Sequence, residues 1–200
     1  MLEELEKYAR VKLIPIVRPE TRKLLMDTCM EVKPKRILEI GTAIGYSGAL
    51  MLSVCEAQLV TLEKKEELYK LALQTFEKEG LSSRVKALCG DAKDILPQLA
   101  SSGERFDLVF LDGPKAQYVR YFPYLKELLN EGGVLFADDI YFYGLVKHDA
   151  MEIKRKKRSI VRNLQAFIET LKNDSDFETR FLEIEDGVAI SRKKINKVQR

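Results

Sequence analysis

Three acidic side chains stand at or just beyond the ends of three apolar runs of the sequence. Glu39 lies near the end of the first run, Glu63 ends the second, and Asp91 follows the third. If the runs are parallel strands, their carboxyl ends share one edge of a sheet, where such folds bind ligands. Carboxylates there could bind an ammonium group, a ribose diol and an adenine amine, in that order, which favours S-adenosylmethionine. Each carboxylate could instead cap the helix that follows it.

A glycine loop follows the first of these runs. Gly41 and Gly45 allow a tight turn and a close approach of the backbone to a ligand, ahead of a helix N-terminus. The spacing Gly-x-x-x-Gly differs from the Gly-x-Gly-x-x-Gly of a pyrophosphate-binding loop, so a dinucleotide oxidoreductase is disfavoured. By itself, the loop could also be a purely structural turn.

Three more carboxylates follow the fourth and fifth apolar runs. Asp112 comes directly after Phe106–Leu111, and Asp138 and Asp139 come directly after Gly133–Ala137. Converging carboxylates raise one another's pKa unless a cation lies between them. Oxygen ligands without His or Cys favour Mg²⁺, or Mn²⁺, over zinc. We therefore predict a divalent metal held by these three residues; the alternative is that Asp138 or Asp139 caps a loop.

The elements that must position these residues alternate along the chain. Apolar runs and helical periodicity predict strands over 36–40, 58–63, 84–89, 106–111, 133–137, 177–184 and 188–192, helices over about 2–10, 20–31, 45–55, 65–79, 115–129 and 155–172, and a short helix ending at 99. This order indicates an α/β fold, a doubly wound Rossmann-like sheet with helices on both faces. The closing hairpin makes the sheet mostly parallel with an antiparallel last strand.

Length and composition predict a single domain. Two hundred residues, 46% of them hydrophobic and 32% charged, suit one α/β domain over residues 1–200, with N-terminal helices over 1–31 and the core over 36–192. No apolar run reaches the roughly 18 residues that cross a bilayer. The opening residues lack the apolar segment of a secretion signal. We therefore expect a cytoplasmic protein with no membrane contact.

Positive charge is concentrated in one segment, although the net charge is only +3. This basic segment consists of Lys154, Arg155, Lys156, Lys157 and Arg158, and residues 192–200 add five more basic side chains. Such a cluster can bind a polyanion such as RNA. It can equally be a solvated helix face followed by a frayed tail.

Four short strings together resemble one enzyme family. ILEIGTAIGYS, CGDA, FLDGPKAQY and FADD, in this order, resemble the metal-dependent catechol and caffeoyl-CoA O-methyltransferases, and the likeness runs from about residue 13 to 192. Within that group, LIPIVRPETRKLL and DFETRFLEIEDGVAISRKK look most like the bacterial tRNA 5-hydroxyuridine methyltransferases, which make 5-methoxyuridine at the anticodon wobble position.

The resemblance implies roles for individual residues. Asp112, Asp138 and Asp139 would hold the metal, and Lys115 would lie beside the reacting hydroxyl as a catalytic residue together with Asp112. The implied contacts to S-adenosylmethionine are Val17, Glu39, Gly41, Ser47, Glu63, Asp91, Ala92 and Asp112. The family usually has Asp-Asn where this chain has Asp138-Asp139. The extra carboxylate should hold a divalent ion no less well, but it could alter the geometry or the metal preference.

The resemblance also implies a substrate, 5-hydroxyuridine in the anticodon loop of tRNA, and a homodimer. Arg18, Arg22 and the basic segment would contact RNA phosphates. Tyr141, Phe142 and Tyr143 would stack on unpaired bases, unless they simply pack their loop. One alternative is methylation of small catechols or phenylpropanoids, which should be insensitive to salt. Another is a non-catalytic RNA-binding protein that keeps this fold.

Overall fold

The computed structural model describes residues 2–195. The two ends of the predicted domain, residue 1 and residues 196–200, lie outside the described residues. The tail residues Lys197 and Arg200, counted above among the basic side chains, therefore lie outside them too.

One seven-stranded sheet forms the centre of the fold. Its strands are β1 (Arg36–Ile40), β2 (Gln58–Glu63), β3 (Val85–Cys89), β4 (Phe106–Leu111), β5 (Leu129–Ala137), β6 (Phe177–Leu182) and β7 (Val188–Lys193). They lie in the order β3-β2-β1-β4-β5-β7-β6. Strands β1 to β5 pair in parallel, and β7 runs antiparallel to both β5 and β6. The predicted doubly wound sheet with an antiparallel last strand is confirmed.

Seven α-helices surround this sheet. Within residues 2–195, they are α1 (Leu2–Lys12), α2 (Pro19–Val32), α3 (Tyr46–Val54), α4 (Glu66–Lys78), α5 (Ala92–Ser101), α6 (Tyr118–Leu128) and α7 (Arg155–Asn173). The buried strand residues alternate between two hydrophobic cores, so that Ile37 and Leu38 point to opposite faces. Helices α5, α6 and α7 cover one face, and α1 to α4 cover the other.

The fifth strand is longer than the sequence predicts. It begins at Leu129 rather than at Gly133, because Leu129 pairs with Phe106 and the ladder is interrupted before Leu108 pairs with Val134. Gly132, with φ +76°, allows the bend within this strand. A stretch of Asn, Glu and two glycines resembles a turn in the sequence, and only its pairing with β4 shows that it is a strand.

Parallel pairing of β1, β4 and β5 brings the predicted site residues to one edge of the sheet. The ladder continues past the strand ends, since Asp112 N–H donates to Ile40 O over 3.0 Å and Asp138 N–H donates to Leu111 O over 3.0 Å. The two loops that carry the acidic residues therefore leave the sheet side by side.

No described helix is both long enough and apolar enough to cross a membrane.

Candidate active site

A cleft of about 900 Å³ lies at the carboxyl ends of β1 to β4. This volume is within the range of cofactor and small-molecule sites, roughly 300 to 1,000 Å³. Its lining includes residues of the cover segment, residues 14–18, which lies between α1 and α2, and it also includes Phe142 and Tyr143. The floor contains Gly41, Glu63 and Asp91 of the predicted cofactor site.

The glycine loop forms part of the floor of the cleft through Gly41, and the backbone leaves no room for a side chain there. Gly41 has φ +105°, and a Cβ atom at this position would collide with the carbonyl oxygen of Asp112. Gly45, with φ +82°, precedes α3. Both glycines are therefore required by the local backbone, and the loop brings β1 into direct contact with the loop after β4.

Glu39 lies beneath the cleft instead of lining it. Its side chain is 0% exposed, and its carboxylate accepts hydrogen bonds of 2.5 Å from the hydroxyls of Ser47 and Thr61. Burial raises the pKa of Glu39 to about 7, although the two hydroxyls oppose this shift. Glu39 and Ser47 thus support the glycine loop from below. Val17 is also buried, between two residues of the cover segment that do line the cleft.

Glu63, Asp91 and Ala92 lie in the cleft floor at the ends of β2 and β3. Glu63 accepts hydrogen bonds from the backbone N–H groups of Ala43 (2.9 Å) and Lys65 (2.8 Å). Asp91 caps α5 through Lys93 N–H (3.0 Å) and pairs with Lys64 Nζ (2.9 Å). In this structure both carboxylates hold the backbone in place, and both also face the cleft.

The carboxylate cluster, Asp112, Asp138 and Asp139, lies at one end of the cleft. Each residue offers an oxygen atom within 4.8 Å of the others. Asp138 is 3% exposed, and its Oδ1 accepts from the Asp139 N–H over 2.7 Å. Burial, with added repulsion from Asp112 and Asp139, raises the pKa of Asp138 to about 7. Asp138 thus caps the loop, as the alternative prediction has it, and only Asp139 of the two lines the cleft, while both carboxylates belong to the cluster.

These three residues fit a divalent cation on chemical grounds. Three carboxylate oxygens within 4.8 Å of one another are a donor set suited to Mg²⁺ or Mn²⁺. Within the described part of the chain, no other group of three or more potential ligand residues is found.

Lys115 lies beside the carboxylate cluster and is held by two partners. Its Nζ donates to Asp112 Oδ1 over 2.6 Å and lies 3.0 Å from the hydroxyl of Tyr118. Burial opposes its charge, but Asp112 and Asp139 outweigh this effect and keep the pKa of Lys115 well above its usual value. Tyr118 is fully buried and also bonds to the backbone carbonyl of Asp138 (3.1 Å). No role for Tyr118 is predicted from the sequence, although its spacing of three residues from Lys115 is a helical contact distance.

Arg18 lies in the cleft wall, where its guanidinium forms an ion pair with Asp139. Its Nε also lies 3.7 Å from Glu185 Oε2. Arg22, the other early arginine of the predicted RNA contacts, is occupied by Glu6 and by the hydroxyl of Tyr46 (2.9 Å), outside the cleft lining. The contact between Arg18 and Asp139 joins residues 121 positions apart, so no sequence pattern could predict it.

A loop of unusual backbone forms the rim of the cleft. Within this rim loop, residues 139–143, Asp139, Phe142 and Tyr143 all have positive φ angles, between 47° and 57°. The turn between β6 and β7 holds it there: Asp186 Oδ2 accepts from Tyr143 N–H (2.7 Å), and Gly187 O accepts from Ile140 N–H (3.0 Å). Tyr143 as a whole residue is 76% exposed, and it lines the cleft.

The basic segment begins α7 close to the rim loop. Lys157 Nζ lies 5.5 Å from the ring centres of both Phe142 and Tyr143. Arg158 is occupied by the backbone carbonyls of Ile153 (2.8 Å) and Met151 (2.7 Å), so it stabilises the preceding loop. Lys154, Arg155 and Lys156 are exposed and form no ion pair with any described residue.

Comparison with known proteins identifies the family. Residues 2–194 match the model of a family described as O-methyltransferase. The chain belongs to the O-methyltransferase family. A catechol O-methyltransferase from Niastella koreensis is 35% identical over 133 residues, which are 65% of this chain and 60% of that relative. The chain therefore matches less than two thirds of that relative's length.

Two solved O-methyltransferases share this fold closely. One from Bacillus cereus, in complex with SAH, has a TM-score of 0.86 at 26% identity, covering 96% of this chain and 90% of that chain. TomG from Streptomyces achromogenes, in complex with SAM, has a TM-score of 0.87 at 26% identity, covering 97% and 89%. These findings confirm the predicted fold and the predicted O-methyltransferase class, and they support S-adenosylmethionine as the methyl donor. The tRNA substrate, the metal and the homodimer stay predictions.

Proposed function

We propose that this O-methyltransferase transfers the methyl group of S-adenosylmethionine to a substrate hydroxyl beside a divalent cation, Mg²⁺ or Mn²⁺. One observation carries the proposal: the carboxylate cluster and Lys115 converge at one end of a cleft whose floor presents Glu63 and Asp91. The site of the substrate hydroxyl and the site of the methyl donor therefore lie in one continuous cleft.

The cofactor would occupy the floor of the cleft. The Glu63 carboxylate would accept from the ribose hydroxyls, and Asp91 with the start of α5 would face the adenine. The glycine loop would lie against the methionine part, because its backbone approaches the cleft without side chains. In the reaction the hydroxyl oxygen supplies the electron pair of the new O–C bond. The sulfur keeps the pair of the S–C bond that breaks, and the hydroxyl proton leaves to solvent.

Asp112, Asp138 and Asp139 would hold the cation, which when bound supplies Lewis acidity and fixes the orientation of substrate oxygens. Lys115 would stabilise the negative charge that develops on the acceptor oxygen. Its Nζ lies 2.6 Å from Asp112 Oδ1, at the end of the cleft where the acceptor oxygen would lie, and a charged amine there stabilises an oxyanion. Tyr118 would hold Lys115 in place through its hydroxyl.

For the substrate we propose 5-hydroxyuridine in a tRNA anticodon loop. The exposed ring of Tyr143 at the rim offers a surface on which an unpaired base can stack. Next to it, α7 begins with basic residues and has no acidic residue in its first turn. Positive charge at a helix N-terminus is unfavourable to the helix by about 0.3 to 1 kcal/mol per residue. A phosphate bound there would offset this cost. Helix formation alone gives no reason for basic residues at this position.

Methylation of a small catechol is the second candidate, and one observation favours it. The relative from Niastella koreensis is named a catechol O-methyltransferase. A small phenol would need only the carboxylate cluster and Lys115, and it would leave the basic segment as an ordinary solvated face. Homodimer formation and a cytoplasmic location are further proposals.

The decisive experiment is nucleoside mass spectrometry on tRNA that contains 5-hydroxyuridine. The purified protein is incubated with this tRNA and S-adenosylmethionine, with Mg²⁺ or with EDTA, and a parallel reaction contains catechol. We expect 5-methoxyuridine to form with Mg²⁺ and to be absent with EDTA. Methylated catechol with unchanged tRNA would overturn the tRNA proposal and leave the proposed metal requirement intact. Equal turnover in EDTA would overturn the proposed metal requirement.

A further inference from the structure

The turn between β6 and β7 carries a partly buried carboxylate that contacts a distant part of the chain. Glu185 accepts hydrogen bonds from the Thr21 hydroxyl (2.6 Å) and from the backbone N–H groups of Thr21 (3.3 Å) and Glu20 (3.2 Å). Its side chain is only 14% exposed. Arg18, the residue before α2, provides no side-chain cap of its own. Glu185 therefore caps α2 from 164 residues away, which fixes its carboxylate firmly.

Arg18 lies between this carboxylate and the carboxylate cluster. Its Nη2 donates to Asp139 Oδ1, while its Nε lies 3.7 Å from Glu185 Oε2. The other oxygen of Asp139 lies 3.4 Å from Lys115 Nζ. Both oxygens of Asp139 are thus in contact with protein cations. A divalent cation must compete with these cations for the carboxylate, because one negative charge cannot fully satisfy all of them.

Glu185 offers Arg18 a second anionic partner on the side away from the cluster. A guanidinium has donors on several edges and can contact two carboxylates at once. If Asp139 turns to a divalent cation, Arg18 can keep its charge balanced through Glu185 and need not leave the cleft wall. The cover segment, which ends at Arg18, then keeps its place over the cofactor cleft.

We propose that Glu185 is a positioning residue that holds Arg18 when the divalent cation takes Asp139, and so limits the competition of Arg18 for that ligand. This inference rests on the metal in the proposed function. It is independent of whether the substrate is tRNA or a phenol.

The test is Mn²⁺ binding to the full-length protein, measured by electron paramagnetic resonance of the free ion and by calorimetry. Glu185→Gln keeps an oxygen for the α2 cap but loses the charge that balances Arg18. We expect it to weaken Mn²⁺ binding about threefold to tenfold, at the low end of couplings between charged sites because the pair is partly exposed. Glu183→Gln is the matched control, since it removes one charge from the same turn at a residue paired with Lys147 instead. It should bind Mn²⁺ like the wild type.

A double variant separates positioning from general electrostatics. In Arg18→Gln the competitor is gone, so adding Glu185→Gln should no longer weaken Mn²⁺ binding. Equal weakening in both backgrounds would overturn the proposal, because the lost charge would then act on the metal directly or through the fold. Unchanged binding in Glu185→Gln would overturn it as well. If the wild type binds no Mn²⁺ at all, the metal of the proposed function fails, and this inference fails with it. Thermal unfolding of each variant verifies that it is folded.

Discussion

At the scale of single residues, Glu39 is the clearest case of a charge that the fold keeps away from solvent. Its carboxylate is fully buried and bonded to two hydroxyls, and burial raises its pKa to about 7. A group whose pKa is higher in the folded than in the unfolded state stabilises the fold at low pH. That contribution is complete below the unfolded value near 4.5 and is lost as the pH rises through about 7.

We therefore predict that Glu39→Gln changes the pH dependence of stability. Between pH 5 and pH 8 the wild type should lose about 2 kcal/mol more of its free energy of unfolding than the variant, because Gln does not ionise. Urea denaturation of the unliganded protein at several pH values measures this difference. Glu56→Gln, at an exposed side chain, is the control and should track the wild type. Parallel curves for Glu39→Gln and the wild type would contradict the prediction.

Two tyrosines of α6, three residues apart, differ in the hydrogen bonding of their hydroxyls, so we predict opposite effects of removing them. The Tyr121 hydroxyl is buried and has no hydrogen-bond partner among the described residues, and Tyr121 lines the cleft. The Tyr118 hydroxyl contacts Lys115 and two backbone carbonyls. An unsatisfied buried hydroxyl costs roughly 1 to 3 kcal/mol, so a ligand that bonds to it gains affinity.

Tyr121→Phe should leave the unliganded protein at least as stable as the wild type and weaken S-adenosylhomocysteine binding several-fold. Tyr118→Phe should instead lower the free energy of unfolding by about 1 to 3 kcal/mol and reduce methyl transfer, since Lys115 loses a partner. Urea denaturation and calorimetric titration of both variants measure these effects. A Tyr121→Phe protein that is clearly less stable but binds the ligand normally would show that this hydroxyl has a protein partner.

At the scale of secondary-structure elements, the sequence located the strand ends but not the contacts between loops. The positions of Asp112, Asp138 and Asp139 follow from apolar runs that end before them, and parallel pairing necessarily brings adjacent strand ends together. By contrast, the rim loop is held by the β6–β7 turn, more than 40 residues away, through Asp186 and Tyr143. Such contacts depend on tertiary packing, which local patterns do not encode.

Helix α7 carries the prediction that belongs to this scale. Its first turn is basic, which opposes the helix dipole, so charge reversal there should stabilise the helix while it damages RNA binding. Arg155→Glu with Lys156→Glu should raise the free energy of unfolding by about 0.5 to 2 kcal/mol. It should lower methylation of 5-hydroxyuridine tRNA at least about tenfold. The slope of log binding constant against log salt concentration should fall by the amount that corresponds to about two phosphate contacts.

The matched control is Lys7→Glu with Arg10→Glu, the same charge change on exposed positions of α1. Turnover of tRNA at several salt concentrations, alongside turnover of catechol, measures the effect. Equal losses with both substrates, or equal losses in both double variants, would show that the basic segment does not contact the substrate.

At the scale of the whole molecule, the cleft joins elements that are far apart in the sequence. The cover segment, the ends of β1, β2 and β3 and the loop after β4 all contribute to it. The sequence predicted the sheet that carries three of these elements, because alternating strands and helices admit few topologies. It assigned the cover segment one cofactor contact, Val17; in the structure Val17 is buried between Ile16 and Arg18, which line the cleft.

A ligand that spans these elements should stabilise the entire fold. S-adenosylhomocysteine at 100 times its dissociation constant should raise the free energy of unfolding by about 2.7 kcal/mol, because it binds only the folded state. For a domain of this size the melting temperature should rise by about 5 to 10 °C. The shift should persist in EDTA, because the proposed cofactor contacts Glu63 and Asp91 lie outside the carboxylate cluster. Thermal melts with S-adenosylhomocysteine, with and without EDTA, test this, and adenosine diphosphate serves as the control ligand. A shift that vanishes in EDTA would mean that the cation, rather than the floor of the cleft, organises cofactor binding.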